Sequence, residues 1–562
     1  METLDWLVIG IFFLALIGII VWVVKQKQND SADYFLGGRD ATWLAIGASI
    51  FASNIGSEHL IGLAGAGASS GMAMAHWEIQ GWMILILGWV FVPFYSRSMV
   101  FTMPEFLERR YNPQSRTILS VISLISYVLT KVAVTVYAGG LVFQQVFGIK
   151  ELWGIDFFWI AAIGLVILTA LYTIFGGMKS VLYTSILQTP ILLLGSLIIL
   201  VLGFKELGGW DEMMRICGAV TVNDYGNTMT ELIRSNNDPN FPWLGALIGS
   251  AIIGFWYWCT DQFIVQRVLS GKNEKEARRG TIFGAYLKLL PVFLFLIPGM
   301  IAFALHQKYL GTGGEGFLPM LANGNADAAF PTLVAKLLPA GVKGLVVCGI
   351  LAALMSSLAS LFNSSAMLFT IDFYKRFKPN TSEKKLVGIG QMATVAIVIL
   401  GILWIPIMRS VGDVLYTYLQ DVQSVLAPGI AAAFLLGICW KRTSAQGGMW
   451  GLIAGMIIGL TRLGAKVYYS NVGDVSSSTF KYLFYDMNWL FFCGWMFLFC
   501  IVVVIAVSMF TAAPSAEKIQ GLVFGTSTPE QKAATRASWN KWDIIHTLII
   551  LGITAAFYWY FW

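Results

Sequence analysis

The chain has 562 residues, of which 57% are hydrophobic and only 12% are charged, and its mean hydropathy is +0.71. Soluble domains contain about 25% charged residues, so this chain has too little charge to cover several soluble cores. Its 57 glycines and 21 tryptophans are typical of helical proteins that cross a membrane many times. The composition therefore excludes a chain of soluble domains and predicts an all-α polytopic membrane protein.

The charge balance and the cysteines exclude several other classes of protein. The 37 Lys and Arg and the 31 Asp and Glu are dispersed in short loops, so we expect no nucleic-acid partner. The six cysteines have no metal-ligand spacing, and we expect them to be buried apolar side chains. Since no nucleophile–base set is recognisable, we expect neither an enzyme nor an organic cofactor.

Apolar segments of membrane-spanning length recur along the whole chain, and a lipid bilayer is the expected environment. The first segment lacks the basic residues that precede a cleavable signal peptide, so we predict that it is a transmembrane helix. About fourteen transmembrane helices are predicted, at 6–24, 42–70, 76–96, 117–147, 154–175, 181–204, 243–266, 281–305, 333–369, 386–408, 413–438, 446–468, 488–510 and 543–562.

The positions of the basic residues predict the orientation. With the N-terminus outside, the inner loops contain most of the Lys and Arg, including groups at 97–116, 267–279 and 375–385. The positive-inside rule then places both termini outside. The long polar loops 205–242 and 306–332 would cover the outer entrance, and the inner segment 511–542 is expected to be a solvated connector.

Two predicted helices contain features that membrane anchoring does not require. Residues 48–59 combine small polar residues with Glu58 and His59, and residues 254–262 read Gly-Phe-Trp-Tyr-Trp-Cys-Thr-Asp-Gln. These segments open two halves of five helices each. Interrupted helices at corresponding positions of two halves indicate a transporter binding site, because unwound backbone frees carbonyl groups that hold cations.

This pattern predicts the organisation of the chain. The units are an extra N-terminal span (1–41), a first inverted repeat (42–204), an outer loop (205–242), a second inverted repeat (243–438), two extra spans (439–510), an inner linker (511–542) and a final span (543–562). The symmetry rests on hydropathy and order alone, since no residue-level repeat is visible.

Ionisable residues inside the spans are the main candidates for function, because each costs about 2.5–3.5 kcal/mol at the bilayer centre. They are Glu58, His59, Glu78, Lys131, Asp261 and Lys288, and their polar or aromatic companions include Asn54, Tyr257, Trp258, Gln420 and Gln423. Fixed donors and acceptors beside an aromatic face suit a neutral solute rich in hydroxyl groups. The alternative is structural: Glu78 and Lys288 form a buried pair, while Asn54 and Gln420 cap broken helices.

Ser356 and Ser357 lie in a helix of small residues, where serine hydroxyls usually bond to backbone carbonyls. Packing is therefore one interpretation of this pair. The other is a sodium site, since a hard cation prefers several oxygen ligands and two adjacent hydroxyls with unwound carbonyls would supply them.

Four segments make the chain similar to a known family. They read FASNIGSEH (51–59), YTIFGGMKS (172–180), WYWCTDQFIVQR (256–267) and SSLASLFNS (356–364). With them the chain resembles the sodium/solute symporter family, and within it the sodium/glucose cotransporters, over about residues 6–510 and the final span. The resemblance implies a LeuT-type 5+5 inverted repeat with extra N- and C-terminal helices, and sodium-driven alternating access.

The resemblance also implies roles for single residues. The sugar ligands would be Asn54, His59, Glu78, Lys288 and Gln420, with Tyr257 as an inner gate below the sugar and Trp258 beside it. The sodium ligands would be the carbonyls of Ala52, Ile55 and Ala353 and the hydroxyls of Ser356 and Ser357. No role follows for Lys131.

The chain departs from the family pattern at three positions. Ser185 stands where the family usually has an aspartate, and in some relatives this aspartate is associated with a second sodium site. We therefore predict one sodium per sugar. Gln423, a further substrate-binding candidate, replaces a small hydroxyl residue and would shrink the pocket. Gly254 replaces a polar residue and would enlarge it, and these two changes leave the identity of the sugar open.

The leading hypothesis is sodium-coupled symport of a neutral monosaccharide, such as glucose or galactose. The alternatives are another polyol or organic solute, such as myo-inositol or sialic acid, or a sugar-gated sodium conductance or sensor. Because every arginine lies in a loop or at a span end, a neutral substrate is favoured over a carboxylate. Animal relatives have several cysteines in outer loops, whereas this chain has only Cys217 there, so we expect a bacterial inner membrane.

Overall fold

The computed structural model describes residues 1–26, 30–56, 58–311, 313, 316–318, 325–408, 415–472 and 478–562. Within these ranges the chain is almost entirely helical, which confirms the predicted fold class. Eleven helical segments are long and apolar enough to cross a membrane, and two of them, Glu58–Ser98 and Phe157–Leu207, have 41 and 51 residues. One crossing needs about 20 residues. The count of about fourteen spans therefore stays a prediction.

The helices of the first half of the chain are α1 (Thr3–Val24), α2 (Ser31–Leu36), α3 (Trp43–Asn54), α4 (Ala64–Ser70), α5 (Ala75–Glu78), α6 (Gly81–Ile86), α7 (Val92–Ser98), α8 (Met103–Arg110), α9 (Pro113–Ser126), α10 (Ala133–Phe147) and α11 (Phe157–Leu207). An antiparallel hairpin of β1 (Glu151–Leu152) and β2 (Ile155–Asp156) precedes α11. Helix α11 is interrupted at Gly177, whose φ of 52° and ψ of −148° are not helical. Its two parts correspond to the predicted spans 154–175 and 181–204.

The remaining helices are α12 (Trp210–Gly218), α13 (Trp243–Gly254), α14 (Gln262–Leu269), α15 (Glu274–Lys288), α16 (Ile297–Gly311), α17 (Ala329–Leu337), α18 (Val342–Met367), α19 (Lys375–Phe377), α20 (Glu383–Met408), α21 (Leu415–Cys439), α22 (Ala445–Val472), α23 (Thr479–Lys481), α24 (Trp489–Phe510), α25 (Ala516–Ile519), α26 (Pro529–Ala537) and α27 (Lys541–Tyr560). The start of the predicted span 413–438 lies outside the described residues.

Several helices are joined by π-helical segments, in which the backbone is wider than in an α-helix. Three of them, Glu58–Leu63, Tyr127–Val132 and Phe255–Thr260, surround the centre of the molecule. Such segments are rare and occur frequently at functional sites, since the extra residue redirects the side chains that follow it. All three contain an ionisable or aromatic residue that the sequence singles out.

Close backbone contact between helices explains part of the high glycine content. A side chain on Gly67 of α4 would overlap the carbonyl of Leu296, and one on Gly299 of α16 would overlap the carbonyl of Ala64. Glycine at both positions lets the two backbones touch. Small residues at helix contacts have this function in membrane proteins, where the hydrophobic effect does not drive helices together.

Most residues of the segment 511–542 are exposed, as expected of a solvated connector, but part of it also docks on the membrane helices. The amide of Phe524 donates to the carbonyl of Ile438 at 2.8 Å, and Arg97 of α7 donates to Ser527 at 2.9 Å and to Thr535 at 2.5 Å. The segment therefore packs against the ends of α7 and α21. Its polar composition did not indicate this, because its contacts are hydrogen bonds to distant helices.

The cysteines follow the expectation with one exception. Five of the six are buried, whereas Cys439, at the end of α21, is exposed. The prediction of an apolar buried side chain is wrong for this residue, since it lies at the surface where the helix ends.

Candidate functional site

Both helices predicted to be interrupted are broken in the structure. Helix α3 ends at Asn54, Ile55 has extended backbone (φ −80°, ψ 102°), and helical structure begins again at Glu58. The π-helical segment after α13 ends at Thr260. The next residue, Asp261, is also extended (φ −77°, ψ 127°), and its carboxylate accepts from the amide of Phe263. The two breaks free backbone groups inside the bundle, as the sequence predicted.

A chain of hydrogen bonds joins four of the predicted ligands around the first break. The ammonium of Lys288 donates to Glu78 at 2.6 Å and to the amide oxygen of Asn54 at 3.2 Å. The other amide atom of Asn54 donates to the hydroxyl of Tyr257 at 3.1 Å, and His59 lies 3.4 Å from the second oxygen of Glu78. Asn54, Glu78, Tyr257 and Lys288 come from four separate helical segments, so the sequence alone could not show that they meet.

These residues surround a central cavity with a volume of about 40 Å³. Its wall contains seven of the eight predicted substrate residues: Asn54, His59, Tyr257, Trp258, Lys288, Gln420 and Gln423. Glu78 is the exception. It is fully buried and lies behind Lys288 and His59, which it holds in place. Sites for small molecules measure about 300–1,000 Å³, so a solute enters this cavity only when its walls move apart.

Two wall residues have a buried polar atom without a hydrogen-bond partner among the described residues. They are the amide oxygen of Gln420 and the indole nitrogen of Trp77. Buried polar groups are normally paired, because an unpaired one costs about 1–3 kcal/mol. One free acceptor and one free donor in the wall of a cavity are what a polar solute requires.

Sequence reasoning missed Trp77 and Gln80, which flank Glu78 and both line the cavity. They lie within two residues of the predicted ligand Glu78, and this nearness in the sequence is the signal that could have found them. Gln80 also changes the interpretation of Gly254. Its side chain occupies the space beside that glycine, so the expected enlargement of the pocket is wrong.

The structure gives Lys131 a clear environment. Its ammonium donates to Asp261 at 2.6 Å, and the hydroxyl of Tyr127 donates to the same carboxylate. The ammonium also lies 4.7 Å from the ring centres of Tyr257 and Phe263. Lys131 lines the cavity. Its charge is balanced by the carboxylate of Asp261 and by the aromatic faces, which attract cations.

Two of the predicted sodium ligands, Ile55 and Ser357, meet at the first break. The hydroxyl of Ser357 donates to the carbonyls of Ser53 at 2.9 Å and Ile55 at 3.3 Å. Ser356 lies 3.5 Å from the hydroxyl of Ser185, the residue that replaces the family's aspartate. Ala52 is in the last turn of α3, and Ala353 is one turn before Ser357 in α18; both are buried.

Five arginines are buried among the described residues, and Arg267 and Arg462 are two of them. Arg462 lies inside α22 and donates to the carbonyl of Met487 at 2.8 Å, so the expectation that every arginine lies in a loop or at a span end is wrong. Arg267 is also fully buried, at the end of α14, and donates to the carbonyl of Phe263. Neither residue lines the cavity.

Comparison with known proteins identifies the family. The model of the sodium:solute symporter family matches residues 34–455. The chain belongs to this family. It is 38% identical to sodium/myo-inositol cotransporter 2 of Mus musculus over 542 residues, which cover 94% of this chain and 80% of that protein. It is also 38% identical to sodium/glucose cotransporter 1 of Ovis aries over 537 residues, which cover 90% and 78%.

A solved structure confirms the fold. A Na+-coupled sialic acid symporter in a substrate-bound outward-open state superimposes with a TM-score of 0.74, at 22% identity, and covers 92% of this chain and 99% of that chain. The symporter therefore has a LeuT-type fold, and it is a sodium-coupled transport protein of the membrane rather than an enzyme.

We predict that Lys131→Met destabilises the symporter strongly. The substitution leaves the buried carboxylate of Asp261 without its cation, and breaking such a pair costs about 3–5 kcal/mol. The measurement is thermal unfolding of purified protein in detergent.

The control for this prediction is the double variant Lys131→Met/Asp261→Asn, which removes both charges and keeps an acceptor for Tyr127. It should recover most of the lost stability, since replacing a whole buried pair is often nearly neutral. Equal melting temperatures for wild type and Lys131→Met would contradict the prediction.

Proposed function

We propose that this symporter carries a neutral, hydroxyl-rich ring solute, of the size of a monosaccharide or an inositol, together with sodium. The observation that carries the proposal is the cavity wall. Its lysines are both paired with carboxylates, and its free groups are the neutral amide of Gln420 and the neutral indole of Trp77. Neutral donors and acceptors beside aromatic rings suit a solute with many hydroxyls and no charge.

Two substrates are supported by different observations. A hexose such as glucose or galactose agrees with the motif at 256–267 and with the sodium/glucose relatives. Myo-inositol is supported by the cotransporter of Mus musculus, which is named for it. A carboxylate solute such as sialic acid is disfavoured, because no unpaired cation lines the described part of the cavity.

We assign the ligands as follows. Asn54, His59, Lys288, Gln420 and Gln423 would contact hydroxyl groups, and Glu78 would act through Lys288 and His59. Tyr257 and Trp258 would supply the aromatic face, with Tyr257 as the inner gate. Sodium would lie between the carbonyls of Ala52, Ile55 and Ala353 and the hydroxyls of Ser356 and Ser357.

The transport cycle follows from the position of these groups. Sodium at Ile55 and Ser357 would order the broken end of α3, and Asn54 is the next residue along the chain. Binding of the ion would therefore pre-organise a solute ligand, and by linkage the solute would raise the affinity for sodium equally. The repeats 42–204 and 243–438 would alternate the access, and both termini would lie outside the plasma membrane.

The proposal is tested by uptake into proteoliposomes that contain the full-length chain. With an inward sodium gradient, we expect accumulation of labelled D-glucose, D-galactose or myo-inositol that disappears without sodium. Gln420→Ala should lower this uptake at least about tenfold by removing a ligand, while sodium binding persists.

The matched control is Gln391→Ala in α20, whose side chain donates to the carbonyl of Ile174 at 3.1 Å, away from the cavity. It should keep normal uptake. Sodium currents that respond to the solutes without solute accumulation would instead support a sugar-gated conductance. Normal uptake by Gln420→Ala would contradict the assigned site.

We predict that Ser357→Ala raises the sodium concentration for half-maximal uptake by roughly tenfold or more, because a cation loses a direct oxygen ligand. The control is Ser360→Ala, which should keep the sodium dependence of the wild type. Ser360 does not belong to the proposed sodium ligands, and its hydroxyl lies 2.7 Å from that of Ser53. Unchanged sodium dependence in Ser357→Ala would exclude its role as a ligand.

We predict one sodium per solute, since Ser185 places a neutral hydroxyl where relatives have a carboxylate. One charge moving through 100 mV supplies about 2.3 kcal/mol, and a tenfold sodium gradient adds about 1.4 kcal/mol. Together they support roughly 500-fold accumulation. The measurement is parallel flux of labelled sodium and solute, and a ratio near two would contradict this prediction.

A further inference from the structure

We infer that Gln80 determines which hydroxylated solute this symporter accepts, by presenting a fixed hydrogen-bond acceptor in the wall of the site. The inference rests on the proposed function and adds a residue that neither the sequence motifs nor the family resemblance assign. Gln80, at the break between α5 and α6, packs against Gly254 at the end of α13.

Gln80 is held rigidly at the cavity. Only 3% of the residue is exposed, and its side-chain nitrogen donates to the carbonyl of Ser250 in α13 at 2.8 Å. The backbone at Ile79 and Gln80 leaves the helical region (ψ 24° and 23°), so the residue lies at the break between α5 and α6. An amide fixed at one end keeps its oxygen in one place.

The amide oxygen lies beside the position that a Cβ atom would occupy at residue 254. A Cβ atom added to Gly254 would overlap this oxygen and would lie 2.9 Å from the amide carbon of Gln80. Because Gly254 has no side chain, the amide group of Gln80 has room beside it. Gly254 and Gln80 both line the cavity, so the two residues form one continuous part of its wall.

The chemistry of the exposed atom defines what it recognises. Because the amide nitrogen is committed to Ser250, the oxygen remains as an acceptor, and no donor contacts it among the described residues. A fixed acceptor binds a hydroxyl group of the solute. A solute that lacks this hydroxyl leaves the acceptor unpaired and binds more weakly. Gln80 thus selects solutes with a hydroxyl at one ring position.

The test compares single-deoxy analogues in the wild type and in Gln80→Met, which has a similar size but no acceptor. Inhibition of sodium-dependent uptake in proteoliposomes is measured for each monodeoxy analogue of the transported D-glucose, D-galactose or myo-inositol. In the wild type, one analogue should bind roughly tenfold more weakly because of Gln80. In Gln80→Met that penalty should disappear, while the penalties at the other positions remain.

This pattern separates recognition from folding, because a merely structural defect would weaken all analogues together. An unchanged set of penalties in Gln80→Met would overturn the inference and leave the proposed function intact. A wild type without sodium-dependent uptake of any neutral hydroxylated solute would overturn both.

A second pair of variants tests the fit with Gly254. Gly254→Ser alone should lose at least tenfold in uptake, since its Cβ overlaps Gln80. The double variant Gly254→Ser/Gln80→Ala should regain uptake. The shorter side chain at position 80 makes room, and the serine hydroxyl at position 254 supplies a polar group in place of the lost amide. Its preference among the deoxy analogues should differ from that of the wild type. Equal uptake by the wild type and Gly254→Ser would overturn the inference.

Discussion

The ion pair between Glu78 and Lys288 is the interaction on which the site depends. Each charge alone would cost free energy inside a membrane. Both residues are buried, so removing one of them would leave the other charge buried and unpaired. The pair joins the end of α5 to the end of α15, and Lys288 also reaches Asn54 at the broken end of α3. Because the charges neutralise each other, this pair presents no unpaired charge to a solute. The constraint that stabilises three helices therefore also sets the chemistry of the ligand.

The break in α3 brings the proposed solute site and the proposed sodium site within one residue of each other. Asn54 belongs to the hydrogen-bond chain of Lys288, and the carbonyl of the next residue, Ile55, accepts from Ser357. A continuous helix would use that carbonyl for its own backbone bond, so it would be unavailable to Ser357 or to a cation. A cation that draws Ile55 toward α18 must move Asn54 with it. The proposed coupling of the solute to sodium would then need no long pathway, only one extended residue between two proposed ligands.

Much of the fold could be predicted from the sequence, and less of the site. Spans, breaks and intramembrane charges follow from local patterns, and seven of eight predicted ligands line one cavity. The exceptions share one cause, which is contact between residues far apart in the chain. Asp261 as the partner of Lys131, Glu78 behind its neighbours, and Gln80 filling the space at Gly254 all depend on how separate helices pack. The docking of 511–542 is missed for the same reason, since polar residues predict solvent whether or not a distant arginine binds them.

The two buried lysines place a physical requirement on the proposed inner gate. Lys131 lies over the ring of Tyr257 at 4.7 Å and Lys288 over the ring of Trp258 at 5.4 Å, and these adjacent rings are nearly perpendicular. Each ammonium is anchored to a carboxylate, so neither can follow the rings freely. If the segment Phe255–Thr260 moves to open the gate, it must give up both cation–π contacts and the bond from Asn54 to Tyr257 at once. Losing three contacts in one step makes the closed and open arrangements discrete states, and discrete states are what alternating access requires.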